Sequence, residues 1–130
     1  MLSQFSSKYP PHSDIMLLED QPNPLPPCPD SPNCVRRSYS ISKRAGELFS
    51  DCRRVISGMG ATIKRQSNDP YSIHAVYKVL IFKDDLHIQI QQRASSCVMY
   101  IRSASRKGTY DFGVNARRAN LFMKKLGNVL

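Results

Sequence analysis

The stretch that decides the fold is Asp85-Leu-His-Ile-Gln-Ile-Gln-Gln-Arg-Ala-Ser-Ser-Cys-Val-Met-Tyr-Ile-Arg-Ser103. Apolar and polar residues alternate in its first part, which predicts a β-strand over residues 85–92 with one buried face. A second strand is predicted over residues 97–103, after a short polar loop at residues 93–96. Strands joined by so short a connection pair antiparallel, so the stretch predicts a β-hairpin.

The position of the loop also predicts the register of this hairpin. It pairs Leu86 with Ser103, Ile88 with Ile101 and Ile90 with Met99 on one face. It places His87, Gln89 and Gln91 opposite Arg102, Tyr100 and Val98 on the other face. We therefore expect one face to pack on a core and the polar face to meet water.

Two more strands and two helices are predicted around the hairpin. The strands cover residues 61–67 and 71–80, separated by a turn at Asn68-Asp69-Pro70. Apolar residues recur at three- and four-residue intervals after Ser42, which predicts an amphipathic helix that ends near Gly58 and Gly60. The same spacing predicts a second helix over residues 114–129.

The order of these elements predicts an α+β fold. Short connections favour a four-stranded antiparallel meander with both helices packed on one face. Residues 20–35 contain six prolines, which fix φ and remove backbone donors. We therefore predict that residues 1–35 form an extended Pro-rich N-terminal arm and that residues 36–130 form a single domain.

Basic residues are concentrated in two parts of the chain, which carries a net charge of +9. Residues 36–65 hold eight Lys or Arg against two acids, and residues 102–130 hold seven against one. Both segments include a predicted helix, so an anionic partner is expected, whether nucleic acid, an acidic protein surface or lipid head groups. The alternative is that these charges only solvate helix faces. Beyond charge, the chain carries no recognised nucleic-acid-binding motif.

The chain shows neither a membrane-spanning run nor a secretory signal. No apolar stretch approaches the roughly 20 residues that cross a bilayer. Residues 1–11 lack the basic start and apolar stretch of an export signal. The compartment therefore stays open.

The four cysteines fall into two contexts. Cys52 and Cys97 lie in apolar helix and strand patterns, which is typical of buried small hydrophobes. Cys28 and Cys34 lie in the Pro-rich segment and are the pair that can form a disulfide. Their spacing is not the usual zinc interval, and the histidines add no ligand pattern, so neither a metal nor another cofactor is predicted.

Acidic and basic residues meet at one end of the predicted sheet. The hairpin register brings Asp84 and Asp85 near Arg102 and Arg106, which predicts an ion-pair network. The loop beyond contains Gly108, Asp111, Gly113 and Asn115, residues that suit tight turns and a helix cap.

Arg117 and Arg118 fall in the first turn of the last helix, where the macrodipole disfavours cations. We expect them to pair with acids or to bind an anion. With Arg102, Arg106 and Asn115 they form a candidate site for a phosphate or carboxylate. The alternative is a structural network in which Asp84, Asp85 and Asp111 neutralise these arginines.

Catalysis has little support in the sequence. Adjacent strand residues such as Asp84 and Asp85 point to opposite faces, which argues against a shared acid–base role. No Ser or Cys lies in a recognised nucleophile motif. The sequence therefore favours binding over catalysis.

Three motifs carry a resemblance to a known family. They are Pro27-Cys28-Pro29 with Pro32-Asn33-Cys34-Val35, then Phe82-Lys83-Asp84-Asp85, and then Arg102-Ser103-Ala104-Ser105-Arg106-Lys107-Gly108 continuing to Asp111-Phe112-Gly113-Val114-Asn115 and Arg118. With these motifs the chain resembles the uncharacterised family called domain of unknown function 1499. The resemblance implies no established activity or cofactor.

The resemblance also bears on location. It implies a bacterial envelope or an organelle, where Cys28 and Cys34 would form a local disulfide. This chain departs from the family pattern at Arg36-Arg37, where a Ser pair commonly stands, and no signal is visible in it.

Two functions follow as expectations. The first is a non-catalytic binding or assembly module, such as an accessory subunit of a larger complex, whose basic surfaces contact an anionic protein partner or other anionic surface. The second is a small-anion binding protein or hydrolase that uses the Arg/Asp/Asn cluster of residues 102–118.

Overall fold

Six strands and two helices make up the fold in a computed structural model, which describes residues 12–19, 22–29, 33–106 and 113–130. The strands are β1 (Ile15–Leu18), β2 (Cys34–Ile41), β3 (Thr62–Asn68), β4 (Tyr71–Val79), β5 (Phe82–Gln92) and β6 (Cys97–Ser105). The helices are α1 (Ala45–Gly58), between β2 and β3, and α2 (Val114–Val129), after β6.

All six strands belong to one antiparallel sheet with the order β1-β2-β6-β5-β4-β3. The predicted four-stranded meander is therefore wrong. Strands β3 to β6 follow one another as expected, but β2 pairs with β6 and β1 pairs with β2, which widens the sheet beyond its predicted edge. The fold class remains α+β.

The two missed strands lack a local signal. Strand β2 pairs with the last strand of the chain, so no hairpin turn marks it. Arg37 shares the helix-facing side of β2 with Tyr39 and interrupts the apolar alternation. Strand β1 lies inside the segment 1–35 that we predicted to be an arm. Within the Pro-rich stretch, residues 22–29 form neither helix nor strand.

The register of the β5–β6 hairpin confirms the sequence prediction. Ile88 pairs with Ile101, and His87 pairs with Arg102. Alternate residues therefore face opposite sides of the sheet. We call the side that packs on α1 and α2 the helix face, and the side that carries His87 and Arg102 the open face.

Both helices pack on the helix face, where they form one core with alternate strand residues. The largest fully buried side chains of this core are Tyr39, Ile41, Leu48, Ile56, Leu86, Ile88, Ile90, Met99, Ile101, Phe122, Met123 and Leu126. Cys52 and Cys97 are buried, as predicted. Burial of this apolar surface is the main stabilising contribution to the fold.

The helix predictions agree with the structure. Helix α1 ends at Gly58, and Gly60 follows with φ of 84°, a conformation that glycine adopts without strain. Helix α2 covers Val114–Val129, the predicted range. No helix among the described residues combines the length and apolar character needed to cross a membrane.

The Pro-rich segment lies against β2 on the open face. A disulfide joins Cys28 to Cys34, with the two Sγ atoms 2.08 Å apart. The guanidinium of Arg36 donates to the Leu25 carbonyl oxygen at 2.9 Å, and the Asn23 amide donates to Ser38 Oγ at 3.1 Å. These contacts fix residues 22–29 to the sheet near its β2 side.

Candidate functional site

Asp84 and Asp85 lie on opposite faces of the sheet, and this divides the predicted cluster into two groups. Asp84 faces α2 and pairs with Arg118, whereas Asp85 lies on the open face and pairs with Arg106. The alternation of β5 and the proximity of Arg106 were predicted, but the pairing of Asp84 with Arg118 was not. That pairing depends on where α2 packs, which the strand pattern does not show.

The helix-face group is centred on a nearly buried ion pair. Arg118 Nη1 donates to Asp84 Oδ2 at 2.6 Å, with 10% of the Arg118 side chain and 8% of the Asp84 side chain exposed. The guanidinium also lies over the Tyr77 ring, 4.3 Å from its centroid. Ion pairing and cation–π attraction together hold Arg118 in one position.

Asn115 links three parts of the chain beneath the first turn of α2. Its Oδ1 accepts from Ser103 Oγ at 2.6 Å, and its Nδ2 donates to Ser105 Oγ at 2.9 Å and to the Asn33 carbonyl oxygen at 3.1 Å. The side chain is fully buried. Asn115 thus fastens the start of α2 to β6 and to the residue before β2.

The open-face group is built around Asp85. Arg106 donates to this carboxylate from Nε at 2.9 Å and from Nη2 at 3.0 Å. The Nε2 atom of His74 lies 2.7 Å from Asp85 Oδ1, and the His74 ring stacks on His87 with centroids 4.3 Å apart. The two histidines lie together on the open face.

The electrostatics of this group shift two pKa values. Burial raises the pKa of Asp85, but hydrogen bonds from Arg106 and His74 outweigh burial and lower it to about 2. The pKa of His87 is lowered by burial and by the neighbouring His74. Asp85 is therefore ionised near neutral pH. Its position between Arg106 and His74 favours a structural role.

Changing Asp85 to Asn is expected to lower the free energy of unfolding near neutral pH by about 2 kcal/mol, since the pKa falls from 3.8 to about 2. The folded-state pKa is the lower one, so this stabilisation is complete above about pH 4 and is lost as the pH falls towards 2. Denaturant titrations of both proteins across this range measure the difference.

The control for this prediction is Asp69→Asn, which changes an exposed carboxylate in the β3–β4 turn. We expect no comparable loss of stability in the control. A loss from Asp85→Asn that is equally large at both ends of the pH range would contradict an ionic origin.

Arg102 lies in the middle of the open face. Its register partners are Arg36 on β2 and His87 on β5. Arg102 Nε and His87 Nδ1 are buried atoms without a hydrogen-bond partner among the described residues. Arg102 is therefore separated by the sheet from Asn115 and Arg118, with which it was grouped in the sequence.

A cleft of about 560 Å³ opens between the end of α1, strand β4 and helix α2. Four cationic residues line it: Lys78, Arg117, Arg118 and Lys125. Apolar surface comes from Met59, Tyr77, Val114 and Leu121. The described lining residues include no Asp or Glu. We call this site the basic cleft.

The structure brings together only part of the predicted anion site. Arg117 and Arg118 line the basic cleft, whereas Asn115 faces the core. Gly113 precedes α2 with φ of 76°, in the region that favours glycine. Gly108 and Asp111 lie outside the described residues.

Sequence reasoning missed Lys78 and Lys125 as members of the site. They lie far apart in the chain, and only the packing of α2 against the end of β4 brings them to one cleft. The available signal was the unfavourable placement of Arg117 and Arg118 in the first helical turn. That signal identified the helix end but not the strand that faces it.

Comparison with known proteins places the chain in a family. No curated protein matches the sequence. The family model described as Protein of unknown function (DUF1499) matches residues 24–126, which include every strand from β2 to β6 and most of α2. The resemblance carried by the three sequence motifs is thereby confirmed, and the chain belongs to the family Protein of unknown function (DUF1499).

Proposed function

We propose that this protein is a non-catalytic binding module whose basic cleft receives a phosphate or carboxylate group of an anionic partner. The observation that carries the proposal is that four cationic residues, Lys78, Arg117, Arg118 and Lys125, line one concave site, with no acid among the described lining residues. Like charges gathered around one site repel one another, and a bound anion relieves that repulsion.

The charge of Asp84 neutralises only one of these four cations. Asp84 pairs with Arg118 beneath the cleft, while Lys78, Arg117 and Lys125 are exposed at its rim. Helix α2 begins beside the cleft at Val114, so the positive end of its macrodipole adds to the field. An anion in the cleft thus meets several cationic groups and one helix terminus.

The floor of the cleft favours binding over turnover. Tyr77 is buried beneath Arg118, and burial, opposed by the Arg118 charge, raises its pKa to about 12. Its phenol therefore stays protonated near neutral pH and does not serve as a general base. Met59, Tyr77 and Leu121 offer apolar surface to the part of the partner that carries the anion.

The test is an NMR titration of the full chain with inorganic pyrophosphate at low salt. We expect saturable shifts of the Lys78, Val114 and Arg117 amides, and an affinity about fivefold weaker in Lys125→Gln, because one charge-assisted contact contributes about 1 kcal/mol. Added salt is expected to weaken binding, since the cleft is open to solvent.

Lys124→Gln is the matched control. Lys124 is exposed on the same helix next to Lys125 but does not line the basic cleft, so its removal changes net charge and helix propensity equally. Equal weakening by both variants would overturn the proposal in favour of non-specific charge attraction. Absence of saturable shifts up to about 10 mM pyrophosphate would also overturn it.

A further inference from the structure

The tip of the β4–β5 hairpin exposes three consecutive large apolar side chains. Leu80 is 84% exposed, Ile81 is 85% exposed and Phe82 is 53% exposed. Val79 pairs with Phe82, so Leu80 and Ile81 form a two-residue loop at the far end of the hairpin. We call Leu80, Ile81 and Phe82 the apolar tip. Its exposure to water is unfavourable, and contiguous exposed apolar surface marks interaction sites.

The backbone of the loop does not account for these residues. Leu80 has φ of 57°, a conformation strained for a residue with a bulky side chain. A two-residue hairpin loop with positive φ at its first position usually has glycine at that position. A Gly-Ser loop would relieve the strain and remove the exposed apolar surface. Neither local geometry nor core packing therefore explains Leu80 and Ile81.

Two lysines lie directly behind the apolar tip. Lys78 and Lys83 are cross-strand partners, and both are exposed. Like charges directly opposite each other in a sheet destabilise the pair. Lys78 also lines the basic cleft, and the Arg106 backbone amide donates to the Lys83 carbonyl oxygen at 3.1 Å. Lys78 and Lys83 therefore lie between the apolar tip and the body of the domain, and we call them the lysine pair.

We propose that the apolar tip inserts into the interfacial layer of a bilayer that contains anionic lipids, with Lys78 and Lys83 against the lipid phosphates. Apolar side chains at the extreme end of the hairpin would leave water for the acyl boundary, and lysines one position behind would remain at the head groups. In this orientation the basic cleft opens next to the lipid head groups. Only the role of the basic cleft at the membrane rests on the proposed function.

Charge distinguishes a lipid surface from a second copy of the chain. A symmetric tip-to-tip contact would bring the Lys78 and Lys83 pair against an identical pair, which disfavours self-association. Asp84 and Asp85, which follow Lys83 in the chain, are already held by Arg118 and Arg106. The positive charge of Lys78 and Lys83 is therefore available to an external surface. A bilayer with anionic head groups above an apolar interior matches both the lysines and the apolar tip.

The experiment uses the full chain with vesicles of phosphatidylcholine alone, or of phosphatidylcholine with about 30% phosphatidylserine. The chain contains no Trp, so Ile81→Trp places one fluorophore in the apolar tip and Met16→Trp places one at an exposed site on β1. We expect a blue shift on addition of the anionic vesicles for Trp at position 81 and none for Trp at position 16. Membrane-embedded quenchers should affect only the former.

Sedimentation with the same vesicles measures the contribution of each group. Leu80→Gly with Ile81→Ser suits the loop geometry, so the fold is retained, and its partition onto anionic vesicles should fall at least about tenfold. Lys83→Gln should reduce partition about fivefold. The control Met16→Ser, which removes an exposed apolar side chain elsewhere, should have no effect.

The outcomes separate this proposal from the one for the cleft. The Gly-Ser variant should bind pyrophosphate as the original chain does, whereas Lys125→Gln should still give the blue shift in the Ile81→Trp background. Vesicle binding that survives the Gly-Ser change, or that occurs without a blue shift, overturns insertion of the tip and leaves the cleft proposal standing. A dimer in sedimentation equilibrium that the Gly-Ser change abolishes assigns the tip to a second copy and also overturns insertion.

Discussion

Replacing Asp84 by alanine is expected to lower the free energy of unfolding by about 3–5 kcal/mol. The change removes the carboxylate that Arg118 meets at 2.6 Å and leaves an unpaired arginine whose side chain is only 10% exposed. Water replaces the lost partner only in part, because so little of the Arg118 side chain reaches the cleft. The Tyr77 ring, 4.3 Å from the guanidinium, offsets only part of the loss. Equilibrium denaturation near neutral pH measures the effect.

A double variant separates the lost ion pair from lost packing. Asp84→Leu combined with Arg118→Met replaces both charges by apolar groups, and we expect its stability to lie within about 1.5 kcal/mol of the original. Arg54→Ala, which breaks an arginine–carboxylate pair where the arginine is 71% exposed, should lose less than about 1 kcal/mol. Simple addition of the two single effects at Asp84 and Arg118 would contradict a buried, mutually dependent pair.

Local sequence patterns were sufficient to predict the central part of the sheet. In β5 and β6 the apolar alternation has a period of two, and the loop between them is short. These two features allow a single register that buries Ile88 beside Ile101, and the structure has that register. The same reasoning separated Asp84 from Asp85 before any tertiary contact was known.

The edge containing β1 and β2 could not be predicted in this way. Arg37 occupies a helix-facing position of β2, where an apolar residue would complete the pattern. Its guanidinium reaches Asn120 Oδ1 on α2 at 2.7 Å, a partner that no local reading identifies. Since β2 pairs with β6 at the other end of the chain, its existence depends on the assembled sheet rather than on its own alternation.

The same limit applies to the prediction of the candidate site from sequence. Helical spacing placed Arg117 and Arg118 on the first turn of α2, but it did not say that Arg118 turns towards Asp84 while Arg117 lines the cleft. Lys78 reaches the same cleft because the β4 strand ends beside α2. Sequence identifies which residues need partners, whereas packing decides which partners they receive.

Changing Asn115 to alanine is expected to lower the free energy of unfolding by about 3 kcal/mol. The change leaves the buried Ser103 hydroxyl without its acceptor, and the Asn33 carbonyl oxygen keeps only the Ser105 backbone amide as donor. Each unsatisfied buried group costs about 1–3 kcal/mol. The hydrogen bond from Asn115 to Ser105 Oγ is lost as well. The higher helix propensity of alanine offsets only a few tenths of this loss.

Asn120→Ala is the matched control, because it makes the same change on the same helix at a half-buried position, where Asn120 Oδ1 accepts from Arg37. It should cost less than about 1.5 kcal/mol. Since Asn115 fastens the start of α2, its loss should also weaken pyrophosphate binding in the basic cleft, whereas the Asn120 change should not. If the two variants prove equally stable, the amide network contributes nothing beyond helix propensity. The position of Arg117 at the cleft would then depend on the Asp84–Arg118 pair alone.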